Sequence, residues 1–233
     1  MNILWIRHAY SCGNLYMNLE KIGEEEIPTK QFRDARLTDY ASTQTKGYWN
    51  KILKPKLKTM GLKPTKYVFT STLTRAIETA DQIAPSNYGI VPISYISEIN
   101  MGWYHREYNL PRNRKKVEKD LGYEFQVFQR NNPYRTSGEP KHNKPDRKLF
   151  FEYGLPSLIK SLESQGVKIT KDSVIVIVSH GGFIQTVTGK KVGNLGAVLQ
   201  TLPTNKFKTL FKGYKNPSAS KLGDGGSNCF KKY

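Results

Sequence analysis

The sequence has little cysteine, little acidic charge and no long apolar run. Its 233 residues include only Cys12 and Cys229. So few cysteines in a chain of this size speak against a disulfide scaffold and for a reducing, intracellular and cytoplasmic setting. No window approaches the roughly 18 consecutive apolar residues needed to cross a bilayer, so no membrane partner is expected. The first strand is read as beginning at residue 2, so no signal peptide is expected. Only four histidines occur. Two of them, His105 and His142, stand in a basic segment without a partner at ligand spacing, so no metal site is expected.

Acidic residues are the other shortage, with 19 Asp and Glu against 37 Lys and Arg and a net charge of +18. Charge alone leaves two readings open. One is solubility in a Lys- and Asn-rich chain. The other is a polyanionic partner or substrate, such as nucleic acid, polyphosphate or a phosphorylated metabolite. The oligomeric state is not legible.

What is present alternates between strand and helix signals. Ile3-Leu-Trp-Ile6 reads as a short buried strand, and Leu15 to Gly23 carries weak helical spacing. Thr38 is placed to cap a helix carrying Tyr40, Tyr48, Trp49, Ile52 and Leu53, which Pro55 should kink or stop. Tyr67 to Thr70 is a second strand, followed by a helix opening at Ser71-Thr72 and running to about Ala84. Ile90 to Ile96 is a third strand. The fourth, Val174-Ile-Val-Ile-Val178, is five consecutive β-branched residues, with a helix beginning at Phe183. Arg147 to Gln165 reads as a helix and Phe207 to Phe211 as an edge strand. Together these predict a three-layer α/β/α sandwich around a mostly parallel sheet. A single domain over 1–212 is expected, with a basic insertion or lid over 105–145, including a short helix at Val117 to Arg130. Residues 213–233 read as a flexible basic tail.

The strand ends carry the chemistry. The first delivers Arg7-His8, the second Ser71 and then Arg75, the third Glu98 and the fourth His180-Gly181. In α/β sheets ligands bind at the carboxyl edge. Two His, two Arg and one Glu meeting there suit phosphoryl transfer through histidine. A neutral imidazole is a good nucleophile, guanidiniums and a protonated second histidine offset the charge on the phosphoryl oxygens, and a carboxylic acid protonates the leaving oxygen. Among these cations Glu98 favours its carboxylate form, so acting as an acid requires burial or proton delivery with the substrate. Cys12 invites a cysteine-phosphatase reading, but that chemistry wants an Arg six residues on, and residue 18 is Asn.

Five segments, in order, resemble the histidine phosphatase superfamily, the phosphoglycerate mutase-like proteins. Arg7-His-Ala-Tyr-Ser-Cys-Gly-Asn14 is similar to R-H-G-x-S-x-x-N, and Asp34 to Gln44 to D-x-x-L-T-x-x-G-x-x-Q. Ser71 to Ala80 resembles S-x-L-x-R-A-x-x-T-A, Glu98 to Gly102 resembles E-x-x-x-G, and Ser179-His-Gly-Gly182 resembles S-H-G-G. The resemblance implies that His8 is the phosphorylated nucleophile, with Arg7, Arg75 and His180 in the phosphate pocket and Glu98 as proton donor. Asn14, Ser11 and Gly181 would line the substrate. Gly after His180 matches the mutase-like branch rather than the acid-phosphatase branch. Ala9 and Ala41 replace family glycines, and a methyl at Ala9 either crowds the pocket floor or is tolerated. The lid lacks the mutases' own motif, though Arg112, Arg114, Lys115 and Lys116 offer cations there.

The expected function is a metal-independent phosphatase acting through phospho-His8 on a phosphorylated small molecule or other phosphomonoester, without a cofactor. Phosphoglycerate mutase-type transfer, primed by 2,3-bisphosphoglycerate, is the alternative. A third reading is a catalytically weak member of the fold that binds a polyanion or phosphoprotein.

Overall fold

The computed structural model describes residues 1–21, 34–93, 95–99, 145–217 and 229. Its centre is a sheet of six strands among the described residues: β1 (Asn2–Arg7), β2 (Lys63–Ser71), β3 (Gly89–Ile93), β4 (Ser173–Ser179), β5 (Ala197–Thr201) and β6 (Lys206–Phe211). They lie in the order β3-β2-β4-β1-β5-β6. The first four are mutually parallel, whereas β5 and β6 run antiparallel to their neighbours. The helices are α1 (Cys12–Lys21), α2 (Ala41–Thr45), α3 (Lys54–Thr59), α4 (Thr74–Ile83), α5 (Arg147–Leu149), α6 (Leu155–Ser164) and α7 (Gly181–Thr188).

Side-chain alternation along the strands separates two cores. Leu4, Ile6, Val174, Val176 and Val178 face one side, against Trp49, Leu53 and Leu57 of the α2–α3 region and Ala76, Ala80 and Ile83 of α4. Ile3, Trp5, Ile175 and Ile177 face the other, against Phe150, Leu158 and Leu162 near α6 and Phe183 and Ile184 of α7. That is the three-layer sandwich with a mostly parallel sheet expected from the sequence. Every residue of β4 is buried, as a strand covered on both faces requires. Full burial of one Val or Ile contributes roughly 1.5–3 kcal/mol.

Several local expectations change. Thr38 does not cap α2; its hydroxyl donates to the Tyr10 carbonyl instead (3.0 Å), and the position before α2 is Tyr40, with no side-chain cap. Pro55 does not stop its helix. The chain passes through a π-helical segment, Trp49–Leu53, and Pro55 falls in the first turn of α3, where its missing N–H costs nothing. A similar π segment, Phe150–Gly154, joins α5 to α6, so Arg147 to Ser164 is helical nearly throughout. The helix carrying Arg75 begins at Thr74, not Thr72, and β3 stops at Ile93. The edge strand near Phe207 is present, but β5 went unread. It is a five-residue segment with no alternation to mark it, because β1 and β6 flank it and both its faces are buried. The lid, its helix at Val117 to Arg130, His105 and His142 lie outside the described residues.

The two cysteines are joined in a disulfide, Cys12–Cys229, across 217 residues. This overturns the expectation of free thiols and removes the ground for a reducing compartment, since such bonds persist in oxidising ones. It also disposes of Cys12 as a nucleophile. Cys229 is buried with Tyr10, Leu15, Tyr16 and Ala35, so at this point the carboxyl-terminal segment is fixed to α1. Among the described residues no helix is long and apolar enough to cross a membrane.

A bond closing so long a loop stabilises the fold by about 2–5 kcal/mol. Reduction, or Cys12→Ser, should therefore lower the thermal midpoint by roughly 5–15 °C, at 2–4 °C per kcal/mol for a chain this size. Calorimetry with and without dithiothreitol reads this directly, and an unchanged midpoint would show that the bridge carries no load.

Candidate active site

Strand register assembles the site. β1 and β4 are parallel neighbours with Arg7 opposite Ser179, so the residues that follow, His8 and His180, emerge side by side. Their ring centroids are 5.2 Å apart. β2 lies on the other flank of β4, and its carboxyl end leads into α4, whose first turn carries Arg75. Arg75 Nε donates to His8 Nε2 at 3.3 Å. His8 Nδ1 lies 2.7 Å from the Ala9 carbonyl. Since a carbonyl only accepts, that contact fixes the proton on Nδ1 and leaves Nε2 as the unprotonated nitrogen, whose lone pair accepts the long hydrogen bond from Arg75. His8 and His180 are 2 % and 0 % exposed. Burial first, then the guanidiniums of Arg75 and Arg7, hold both imidazoles well below their usual range. His8 is therefore held neutral, the form a histidine nucleophile requires. His180 is held neutral too, against the expectation of a protonated partner, and neither of its ring nitrogens has a hydrogen-bond partner among the described residues.

Glu98 follows β3 and reaches α7. Its Oε1 accepts from the backbone N–H groups of Gly182 and Ile99, each at 3.0 Å. Burial raises its pKa against the opposing pull of Arg75, Arg7 and these two N–H donors. The requirement that burial keep this carboxyl available as an acid is thus met in direction. The glycines after His180 have a steric reason. A Cβ on Gly181 would come within 3.1 Å of Arg7 Nε, and one on Gly182 within 2.6 Å of Glu98 Oε1.

The remaining motif residues hold this set in place. Buried Asp34 accepts from the Thr74 backbone N–H and hydroxyl, both at 2.7 Å, which fixes the start of α4. Glu78 accepts from Arg36 Nε and the Leu37 N–H, again at 2.7 Å. The Thr79 hydroxyl accepts from the Ala9 N–H (3.0 Å) and donates to the Arg75 carbonyl (2.6 Å). Gln44 accepts from the Tyr10 N–H at 3.2 Å. Ala9 is fully buried within the α2–α4 core and is not among the pocket-lining residues, so its methyl crowds nothing there.

Asn194, on the turn before β5, was not found by sequence reasoning, because a lone Asn between glycines reads as a turn. Its Nδ2 lies 3.0 Å from the His8 carbonyl, 3.2 Å from that of Ala9 and 3.1 Å from Asn14 Oδ1. Asn14 Oδ1 also accepts from the Ser11 N–H and hydroxyl, which leaves the Asn14 amide NH2 as its donor toward the pocket. Arg7 is anchored through Nη1 to the Val192 carbonyl at 2.9 Å. The cavity, about 260 Å3, is lined by Arg7, His8, Ser11, Asn14, Arg75, Glu98 and Gly181 as expected. Met17, Ile99, Gln185, Lys191 and Val192 join them, all invisible in a motif reading. His180 is not among the residues that line the cavity, although its ring lies 5.2 Å from that of His8. Arg112, Arg114, Lys115 and Lys116 lie outside the described residues. Ligand atoms of His8, Glu98 and His180 lie within 4.8 Å of one another, near enough for a cation, but the adjacent Arg7 and Arg75 oppose one.

No family model and no curated protein matches the sequence. Solved structures do match over nearly the whole chain. Ecdysone phosphate phosphatase from Bombix mori, solved with tungstate, is 13% identical with a TM-score of 0.56, covering 94% of this chain and 96% of that one. Phosphoserine phosphatase from Entamoeba histolytica, with 3-phosphoglyceric acid, is 18% identical (TM-score 0.41; 89% and 94% covered). Phosphoglycerate mutase from Bacillus anthracis is 13% identical (TM-score 0.46; 90% and 91%). The chain shares the fold of that ecdysone phosphate phosphatase. At these identities the likeness extends to the fold alone, and the chemistry has to be argued from the residues in place.

Within this fold Gly182 is a point where position can be tested apart from identity. Gly182→Ala should push the Glu98 carboxyl away while keeping every charged group. A displacement of about 1 Å costs on the order of 100-fold in rate. The expected result is a kcat reduced by that order with near-normal affinity for vanadate and an unchanged thermal midpoint.

Proposed function

We propose that the chain is a phosphomonoester hydrolase acting through a phosphohistidine on His8, without a metal. The observation that carries this reading is the neutral, buried His8 whose unprotonated Nε2 accepts from Arg75, in a cavity also lined by Arg7 and by the raised-pKa carboxyl of Glu98. Arg7, Arg75 and the Asn14 amide bind the phosphoryl oxygens. His8 Nε2 forms the N–P bond as the ester O–P bond breaks, and Glu98 gives its proton to the departing alkoxide. Water then attacks phosphorus, surrenders a proton to the Glu98 carboxylate, and releases orthophosphate as the N–P bond breaks. A dianion bound against His8 raises the proton affinity of the adjoining His180 imidazole, whose ring centroid lies 5.2 Å from that of His8, so binding favours the charged form of His180.

His8→Ala should abolish turnover and the acid-labile phosphoenzyme trapped from a radiolabelled substrate; retained activity in that variant would sink the mechanism. EDTA should leave the rate unchanged. Screening sugar phosphates, nucleotides and phosphopeptides should give hydrolysis, whereas isomerisation of 3-phosphoglycerate dependent on a bisphosphate primer would replace the hydrolase with a mutase.

The pH dependence follows from the two shifts. The active form needs His8 unprotonated and Glu98 protonated. With the His8 pKa lowered, kcat/KM should not fall as pH drops through about 6.5, the ordinary imidazole value. With the Glu98 pKa raised, the alkaline limb should lie above the usual carboxylate range. Glu98→Gln should lower kcat by about 10²–10⁴-fold and remove that limb, measured on an aryl phosphate corrected for the substrate's own ionisation.

A further inference from the structure

The catalytic pocket uses few of the chain's cations. Between Asp39 and Glu78 lie seven lysines and no Asp or Glu, and all seven, from Lys46 to Lys66, are exposed. Lys54 and Lys58 stand one turn apart on the solvent side of α3, opposite buried Leu53 and Leu57. Like charges at that spacing cost a helix a few tenths of a kcal/mol. The other helical layer does the reverse and pairs Lys148 with Glu152 at 3.9 Å.

The topology carries this charge to one end of the molecule. α3 hands over to β2, whose first residue, Lys63, pairs with Ser173 at the start of β4. Lys171 sits just before β4, and its carbonyl accepts from the Asn2 side chain at 3.0 Å. Asn2 pairs with Thr201, and Thr201 pairs with Lys206, the first residue of β6. Lys58, Lys63, Lys171 and Lys206 therefore border the amino edge of the sheet, and all four are exposed. None has a carboxylate within 4 Å among the described residues, although Asp172 directly follows Lys171 and its backbone carbonyl accepts from the Lys63 N–H at 2.9 Å. The catalytic groups occupy the carboxyl edge, about 20 Å away along six-residue strands at 3.3 Å per residue.

We infer that this amino-edge surface, running onto α3, is a docking site for the phosphate backbone of duplex nucleic acid, separate from the catalytic pocket. Clustered lysines without carboxylate partners release counterions when they meet a dense line of phosphates. No base readout is built in: the exposed large apolar side chains among the described residues are Met60 and Tyr153, and only Met60 is near this edge. That shortage of stacking groups favours duplex over single strands, and of apolar anchors it disfavours a membrane surface. Binding is thus independent of sequence and leaves the pocket open.

The test is fluorescence anisotropy of a labelled 20-base-pair duplex with the intact protein, between 50 and 200 mM salt. Micromolar affinity at 50 mM is expected, with log K falling linearly against log salt. Lys58→Gln/Lys63→Gln/Lys171→Gln/Lys206→Gln should weaken binding at least tenfold and flatten the slope by about 0.9 per lost phosphate contact. Lys148→Gln/Lys160→Gln, on the other layer, should change affinity less than about twofold, and thermal midpoints verify folding. His8→Ala should bind as the wild type does, so failure of the phosphatase reading leaves this result standing, and bound protein should still hydrolyse a small aryl phosphate. The inference is overturned by absence of binding at 50 mM, by binding that vanadate competes away, by indifference to the four substitutions, or by tighter capture on phosphatidylserine vesicles than on the duplex.

Discussion

Everything in the site depends on burying two imidazoles and two guanidiniums together. Placing four nitrogen groups of one sign tendency in a crevice with a single carboxyl is unfavourable in the empty protein, because desolvation and mutual repulsion act in the same direction. The imidazoles respond by staying neutral. Arg7 and Arg75 cannot respond in that way, so they are held by the Val192 carbonyl, His8 Nε2 and the field of Glu98. The result is a buried pocket in which two guanidiniums share one carboxyl, an arrangement whose field favours an anion.

The frame that tolerates this is correspondingly rigid. β4 is covered on both faces, and its register with β1 fixes the spacing of the two histidines to within the play of a parallel ladder. Around it, Asp34, Glu78, Thr79, Gln44 and Asn194 pin loop backbone rather than touch the cavity. They are buried polar groups with named partners, as low-dielectric interiors demand. The Cys12–Cys229 bridge adds a covalent tie one residue from Ser11, on the helix that supplies Asn14 and Met17 to the wall.

The distribution of charge separates two ends of one sheet. The carboxyl edge uses cations that are buried, ordered and few. The amino edge and α3 carry cations that are exposed and, among the described residues, unpaired with carboxylates. Any account of the +18 charge has to treat these as different populations, because buried guanidiniums shape chemistry at short range while surface lysines act through a salt-screened field.

Residue types and their order were enough to read the layers, four core strands and the edge strand, and to single out five polar residues at the carboxyl edge, since each follows a strand signal or opens the helix behind it. Periodicity could not reveal β5, buried on both faces, nor that Pro55 begins a helix instead of ending one. It also could not say that Thr38 binds Tyr10 rather than capping α2. Cysteine count argued against a bridge, and only the folded chain, by bringing residues 217 positions apart into one buried cluster, decided for it. The same holds at the opening motif. The sequence by itself determined that Arg7 and His8 leave a buried strand at the ligand-binding edge. Tertiary structure alone decided which nitrogen of His8 is unprotonated, that Ala9 turns its methyl into the core, that Asn194 steadies the loop, and that burial holds His180 uncharged. These are consequences of distance and desolvation between segments remote in the chain, and no local pattern encodes them.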